Sequence, residues 1–205
     1  MLDPNALALF PTLVLHCPEV LSQSETRDIF GDLKSRDTPL HLSMSSGRSS
    51  HGQRVDLIGS LGLSEKIQHH LDNYARELGI NPLSVIDSWY NIQDVGSTLA
   101  QHIHPGSFVS AALYINVDDS SSKLFFENPN SLSTYTWQTD NDSPYGINRY
   151  SVTPKNGDMY IFPSWLKHGS LNTQNFTESR TVISLNSIPC ILKEAISYDY
   201  QNTHN

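Results

Sequence analysis

Residues 154–170 read PKNGDMYIFPSWLKHGS, and the reading of this stretch decides the fold. Asn156-Gly157 is the strongest short-range hairpin signal, because a tight two-residue turn needs positive φ, which Asn and Gly tolerate best. Met159–Phe162 is then a short apolar run of strand length, closed by Pro163. His168 follows just past it, before a further β-type run. A histidine in that position is ordinarily a strand-end residue, so its meaning depends on what the rest of the chain brings to it.

The same pattern of short β-type runs with turn signals between them extends from residue 84 onward: SVIDSWYNIQ (84–93), FVSAALYINV (108–117), SKLFFEN (122–128), RYSVTP (149–154) and SRTVISLNSI (179–188). The first half differs. ALFPTLVLH (8–16) is apolar and reads as a strand. SETRDIFGDLKSR (24–36) has helical spacing at Ile29 and Leu33. In SEKIQHHLDNYARELG (64–79), Ile67, Leu71, Tyr74 and Leu78 fall at helical intervals, with Ser64 as N-cap and Gly79 at C′. The expected architecture is mainly β: two supporting N-terminal helices, then a compact antiparallel sandwich or barrel, as one domain over 1–205.

Two polar segments interrupt this pattern. SMSSGRSSHGQR (43–54) is Ser/Gly-rich, and NPNSLSTYTWQTDNDSPYGIN (128–148) is longer than the 12 to 15 residues or so usual for a structureless loop. The latter, with Tyr135 and Trp137 embedded, is expected to be a substrate lid bordering the site.

Composition narrows the function. A net charge of −8, with 13 Lys and Arg spread thinly, argues against a nucleic-acid grip built on phosphate neutralisation. No run approaches the roughly 18 apolar residues of a membrane span. Cys17 and Cys190 alone make no disulfide framework, and the N-terminus lacks signal-peptide character, so a reduced cytoplasm is the expected compartment.

The candidate chemistry begins at AQHIHPGS (100–107). In an extended segment, His102 and His104 project from one face with Cα atoms about 6.5 Å apart, which lets both imidazoles reach one cation. His168 is the candidate third ligand. Twelve residues later, Arg180 is a lone cation on an apolar strand. With period two it shares a face with Val182, Ser184 and Asn186, while Thr181, Ile183 and Leu185 take the other. An inward guanidinium needs an anion, and no acid in the chain is marked out as its partner. Tyr114 alternates onto the more polar face of its own strand.

The order of His-x-His, a "LYIN" strand, a P…GD…F segment, a distal His and then Arg resembles the 2-oxoglutarate/Fe(II)-dependent dioxygenases of the prolyl-hydroxylase type. More narrowly, it resembles the 2OG-Fe(II) oxygenase group of marine bacteria and tailed phages, on LFPT, HxHP, FPSWLxH and RxxISxN. The resemblance spans about Ala8 to Ile188. It implies a double-stranded β-helix, or jelly roll, with Fe(II) held by His102, His104 and His168. It implies 2-oxoglutarate anchored by Arg180 and Tyr114, with O2 as the other co-substrate. The superfamily usually carries Asp or Glu where His104 stands, and Glu127 and Asp158 are the nearest replacement carboxylates.

The implied reaction hydroxylates a small-molecule or protein substrate and releases succinate and CO2. The implied setting is the cytoplasm of a bacterium or a phage-infected host, without nucleic-acid or membrane partners and compatible with a homodimer. The alternatives are a non-catalytic jelly-roll module with a Zn(II) or vacant three-histidine site, and a three-histidine cupin dioxygenase that does not need Arg180.

Overall fold

The structure, a computed structural model, describes residues 10–38, 44–53, 55–130, 147–170 and 173–193. In chain order its elements are β1 (Leu15–Cys17), α1 (Gln23–Ser35), β2 (Arg48–Ser49), α2 (Leu57–Ser60), α3 (Ser64–Leu78), β3 (Leu83–Gln93), β4 (Val109–Asn116), β5 (Leu124–Glu127), β6 (Arg149–Val152), β7 (Met159–Pro163), β8 (His168–Gly169) and β9 (Arg180–Pro189). All strand pairs are antiparallel. They form a six-stranded sheet in the order β1-β7-β4-β9-β3-β2 and a three-stranded sheet in the order β6-β5-β8.

The alternation of β4 and β9 divides the molecule into layers. Ala111, Leu113 and Ile115, with Ile183 and Leu185, pack on one face of the large sheet against Ile29 and Leu33 of α1 and Ile67, Leu71 and Tyr74 of α3. Burying each such large side chain stabilises the fold by about 1.5–3 kcal/mol. Ala112, Tyr114 and Val182 look the other way, into a second core with Leu124 and Phe126 of the small sheet and Phe162 and Leu166. The helices therefore cover one face of the large sheet, leaving the space between the sheets for a site. No helix among the described residues is long and apolar enough to cross a membrane.

Three local expectations are corrected. Residues 10–14 are irregular, and only Leu15–Cys17 of the first apolar run pairs, with β7. Its His16 Nε2 meets Asp158 Oδ2 at 2.7 Å and stacks on Tyr160. The N-cap position of α3 is Leu63, with Ser64 already helical, while α1 starts on a full capping box between Ser22 and Glu25. Asn156-Gly157 is not a hairpin turn, because β6 belongs to the small sheet and β7 to the large one. The turn docks on β4 instead: Gly157 N–H donates to Tyr114 O, and Val117 N–H to Asn156 Oδ1. At φ 86°, a Cβ on Gly157 would lie 2.2 Å from Leu21 O, so glycine is required there.

Candidate metal centre and acid pocket

His102 and His168 face each other in an isolated antiparallel bridge, each N–H donating to the other's carbonyl at 3.0 and 3.1 Å. His104 N–H donates to Ser164 O two residues further along. His102 thus extends the small sheet beyond β8, while His104 is tied to Ser164 just past β7, and period two puts both histidines on one side. Nδ1 of His102 lies 2.8 Å from Ala100 O, and Nδ1 of His168 lies 2.8 Å from Leu166 O. A carbonyl only accepts, so both Nδ1 atoms carry the proton and both Nε2 atoms are left unprotonated, as acceptors.

These rings converge with His104. The ligand atoms of the three lie within 4.8 Å of one another, and His104 Nε2 is 3.1 Å from His168 Nε2. Two donors at about 2.1 Å and roughly 90° around one ion are about 3.0 Å apart, so this pair already has facial spacing. Burial, the main cause, pushes His168 down to about 3 and His104 down to about 4, with neighbouring imidazoles adding to it. His102 is lowered mainly by burial too. Three neutral imidazoles are the protonation state a divalent ion needs.

The cluster opens on a cavity of about 390 Å³ whose far end is Arg180, only 4% exposed. Its Nη1–H donates to Gln93 Oε1, and its guanidinium carbon lies 5.4 Å from the Tyr114 ring centre. Burial lowers the Arg180 pKa and raises that of Tyr114, and the proximity of the two groups opposes both shifts. Among the described residues no carboxylate pairs with Arg180, and no Asp or Glu lines the cavity. Arg180 Nε, Gln93 Nε2 and Asn91 Oδ1 are buried without a partner, and all three residues line this cavity. Unpaired buried polar atoms are rare and costly, so their concentration here marks a place for a polar ligand.

Neither replacement carboxylate joins the histidines. Glu127 accepts from Gln101 and lies between Arg149 and Lys167, while Asp158 is taken by His16 and by Glu19 N–H. Ser184, as its strand face required, lines the cavity with Arg180. The 43–54 segment reaches the site through His51, which lines the cavity and stands edge-on to Trp89 at 4.8 Å. Most of the expected lid, residues 131–146, lies outside the described residues. The segment leaves β5 one residue past Glu127, whose N–H donates to Lys167 O beside His168.

Sequence reasoning missed Trp89, Asn91 and Gln93. They occupy alternate positions of β3 and line the cavity, while Tyr90 and Ile92 face the helices. Two amides on the inward face of a strand were the available signal, of the same kind that marked Arg180.

Residues 87–186, from β3 to β9, match the family described as "Putative 2OG-Fe(II) oxygenase". The match spans 100 of the 205 residues, and over that stretch the chain is similar to the 2OG-Fe(II) oxygenases. No curated protein matches it in sequence. Among solved structures it is similar to HygX from Streptomyces hygroscopicus with nickel, 2-oxoglutarate and hygromycin B bound. That match has 15% identity and a TM-score of 0.61, and covers 87% of this chain and 83% of HygX. It is also similar to the non-heme alpha-ketoglutarate-dependent epimerase SnoN from nogalamycin biosynthesis (15%, TM-score 0.62, 86% of this chain and 76% of SnoN). A third is a Pseudomonas putida prolyl-4-hydroxylase (14%, TM-score 0.52, 85% and 92%). At these identities the likeness concerns the fold: the two antiparallel sheets of this chain form the jelly roll of those enzymes, without closing into a barrel.

Proposed function

We propose that this chain is a 2OG-Fe(II) oxygenase that hydroxylates a C–H group of a small molecule or protein side chain, acting as a single domain with succinate and CO2 as co-products. His102, His104 and His168 hold Fe(II), and Arg180 with Tyr114 holds the far carboxylate of 2-oxoglutarate. The observation that carries this reading is a buried Arg180, without an acidic partner among the described residues, in the same cavity as three neutral histidines. The residues fit both groups: convergent lone pairs for a divalent ion, and orphaned donors on Arg180 and Gln93 for a carboxylate.

Bound there, iron with 2-oxoglutarate and O2 supplies the oxidising chemistry of the family. The chain's own residues bind, orient and exclude water. The carbonyls of Ala100 and Leu166 fix the His102 and His168 tautomers. Phe162 packs on His168 at 4.5 Å, and Leu124 and Val182 line an apolar wall. In that dry space the charge of Arg180 acts at low dielectric on the anion it holds.

The test is succinate formation from 2-oxoglutarate by the purified protein with Fe(II), ascorbate and O2, even without the primary substrate. A carboxylate-free set of three histidines is also a good Zn(II) site. No turnover with any of Fe, Mn, Co or Ni would leave a zinc-binding jelly-roll module as the reading.

A further inference from the structure

Gln93 stands at the inner end of β3, opposite Arg180 in the β3–β9 register, with only 1% of its surface exposed. Its amide has one allowed orientation. Arg180 Nη1 has only hydrogens to offer, so the atom facing it must be the acceptor Oε1, and Nε2 must point elsewhere. That Nε2 is a buried donor without a partner, and Arg180 Nε is another. Both residues line the cavity that the histidines share. An orphaned amide N–H and an orphaned guanidinium N–H, on two residues that touch each other and line one cavity, are complementary to a group that accepts twice, a carboxylate.

We propose that Gln93 binds the co-substrate and sets its specificity, donating through Nε2 to the far carboxylate while its Oε1 holds the Arg180 guanidinium at the angle that carboxylate needs. The proposal rests on the reading above of Arg180 as the 2-oxoglutarate anchor. It adds that the anchor is a two-residue cradle selecting 2-oxo acids with a second carboxylate. A 2-oxo acid without that carboxylate would leave both donors unsatisfied, which is the effective way to discriminate against a missing polar group.

The test is calorimetric titration of the full chain loaded with Zn(II), which binds without turnover, using 2-oxoglutarate and 2-oxobutyrate. The two ligands share the metal-chelating end, and only 2-oxoglutarate has the distal carboxylate. The unsubstituted protein is expected to prefer 2-oxoglutarate by at least about tenfold. Gln93→Glu supplies an internal carboxylate that captures Arg180. Gln93→Met removes the donor at similar volume. Each should weaken 2-oxoglutarate by about tenfold or more and leave 2-oxobutyrate and Zn(II) binding within about twofold.

Equal weakening of both ligands would show a merely structural Gln93 and overturn the proposal, as would an unchanged preference in both variants. Failure of the unsubstituted protein to bind either acid would instead overturn the 2-oxoglutarate reading itself, and this inference with it.

Discussion

Trp89 lies against His104, ring centroids 5.5 Å apart and planes inclined by 28°. A residue of β3 thus backs a histidine whose own backbone is bonded to Ser164, just past β7. Asn186 also stands near enough to His104 to oppose part of the lowering of its pKa. Trp89 thus holds the ring in place before any ion arrives.

Removing that backing should cost less than removing a ligand. His104→Ala and His168→Ala are expected to weaken Zn(II) or Co(II) binding by at least about a hundredfold, and Trp89→Ala by about tenfold. Competition against a chelating dye measures all three. Unchanged affinity in His104→Ala would remove His104 from the centre.

The acid stability of the metal-free protein follows from the lowered histidines. His168 titrates at about 3 and His104 at about 4 when folded, against an ordinary 6.5. Between these values the unfolded chain binds more protons, so stability rises with pH across that window and levels off above about 6.5. Urea midpoints at half-unit pH steps should fall steadily below 6.5, and His104→Ala with His168→Ala should flatten the slope. Equal slopes in the two proteins would contradict the burial argument.

Arg180→Met should separate stability from function. An unpaired buried guanidinium carries a desolvation penalty, so replacing it by an apolar chain is expected to stabilise the metal-free protein by about 1–4 kcal/mol. The same change should raise the apparent KM for 2-oxoglutarate at least about tenfold while metal affinity stays nearly unchanged. Thermal melts and succinate assays read the two effects. A lower melting temperature with unaltered KM would refute both the desolvation and the anchoring argument.

Gly47 tests the edge that carries His51. It has φ 115°, and a Cβ there would lie 2.1 Å from Ile92 O. Gly47→Ala is expected to loosen β2 from β3 at a cost of about 1–3 kcal/mol in urea unfolding, with Zn(II) affinity kept. An unaltered midpoint would mean that the segment is free to move away from β3.

Periodicity made the face of Arg180, Ser184 and Asn186 legible, because a lone cation on an otherwise apolar strand marks the inward direction. His102 and His104 were legible as a pair for the same geometric reason. Their convergence with His168 was expected from the distal histidine and the family resemblance, but not from periodicity, since it depends on a bridge between residues 66 apart in the chain. Gln93 escaped notice because an amide, being uncharged, marks a strand's inward face less sharply than the Arg180 guanidinium does. Asn156-Gly157 misled because the local preference for a tight turn was met while its flanking strands went to different sheets. The turn's free N–H and carbonyl groups found β4 and Leu21 instead.

His168 belongs to the small sheet and His102 is bridged to it, while Arg180, Tyr114 and Gln93 belong to the large one. On the proposed reading, a 2-oxo diacid is gripped by a different sheet at each end, so it works as a tie-rod across the sandwich. The sheet spacing then becomes a ruler for ligand length. A diacid one methylene longer has to bow or wedge the layers apart, and one methylene shorter reaches only one of its two anchors. The apolar contacts of Phe126, Phe162 and Val182 between the layers resist such strain, which makes the packing of the second core part of the enzyme's choice of co-substrate.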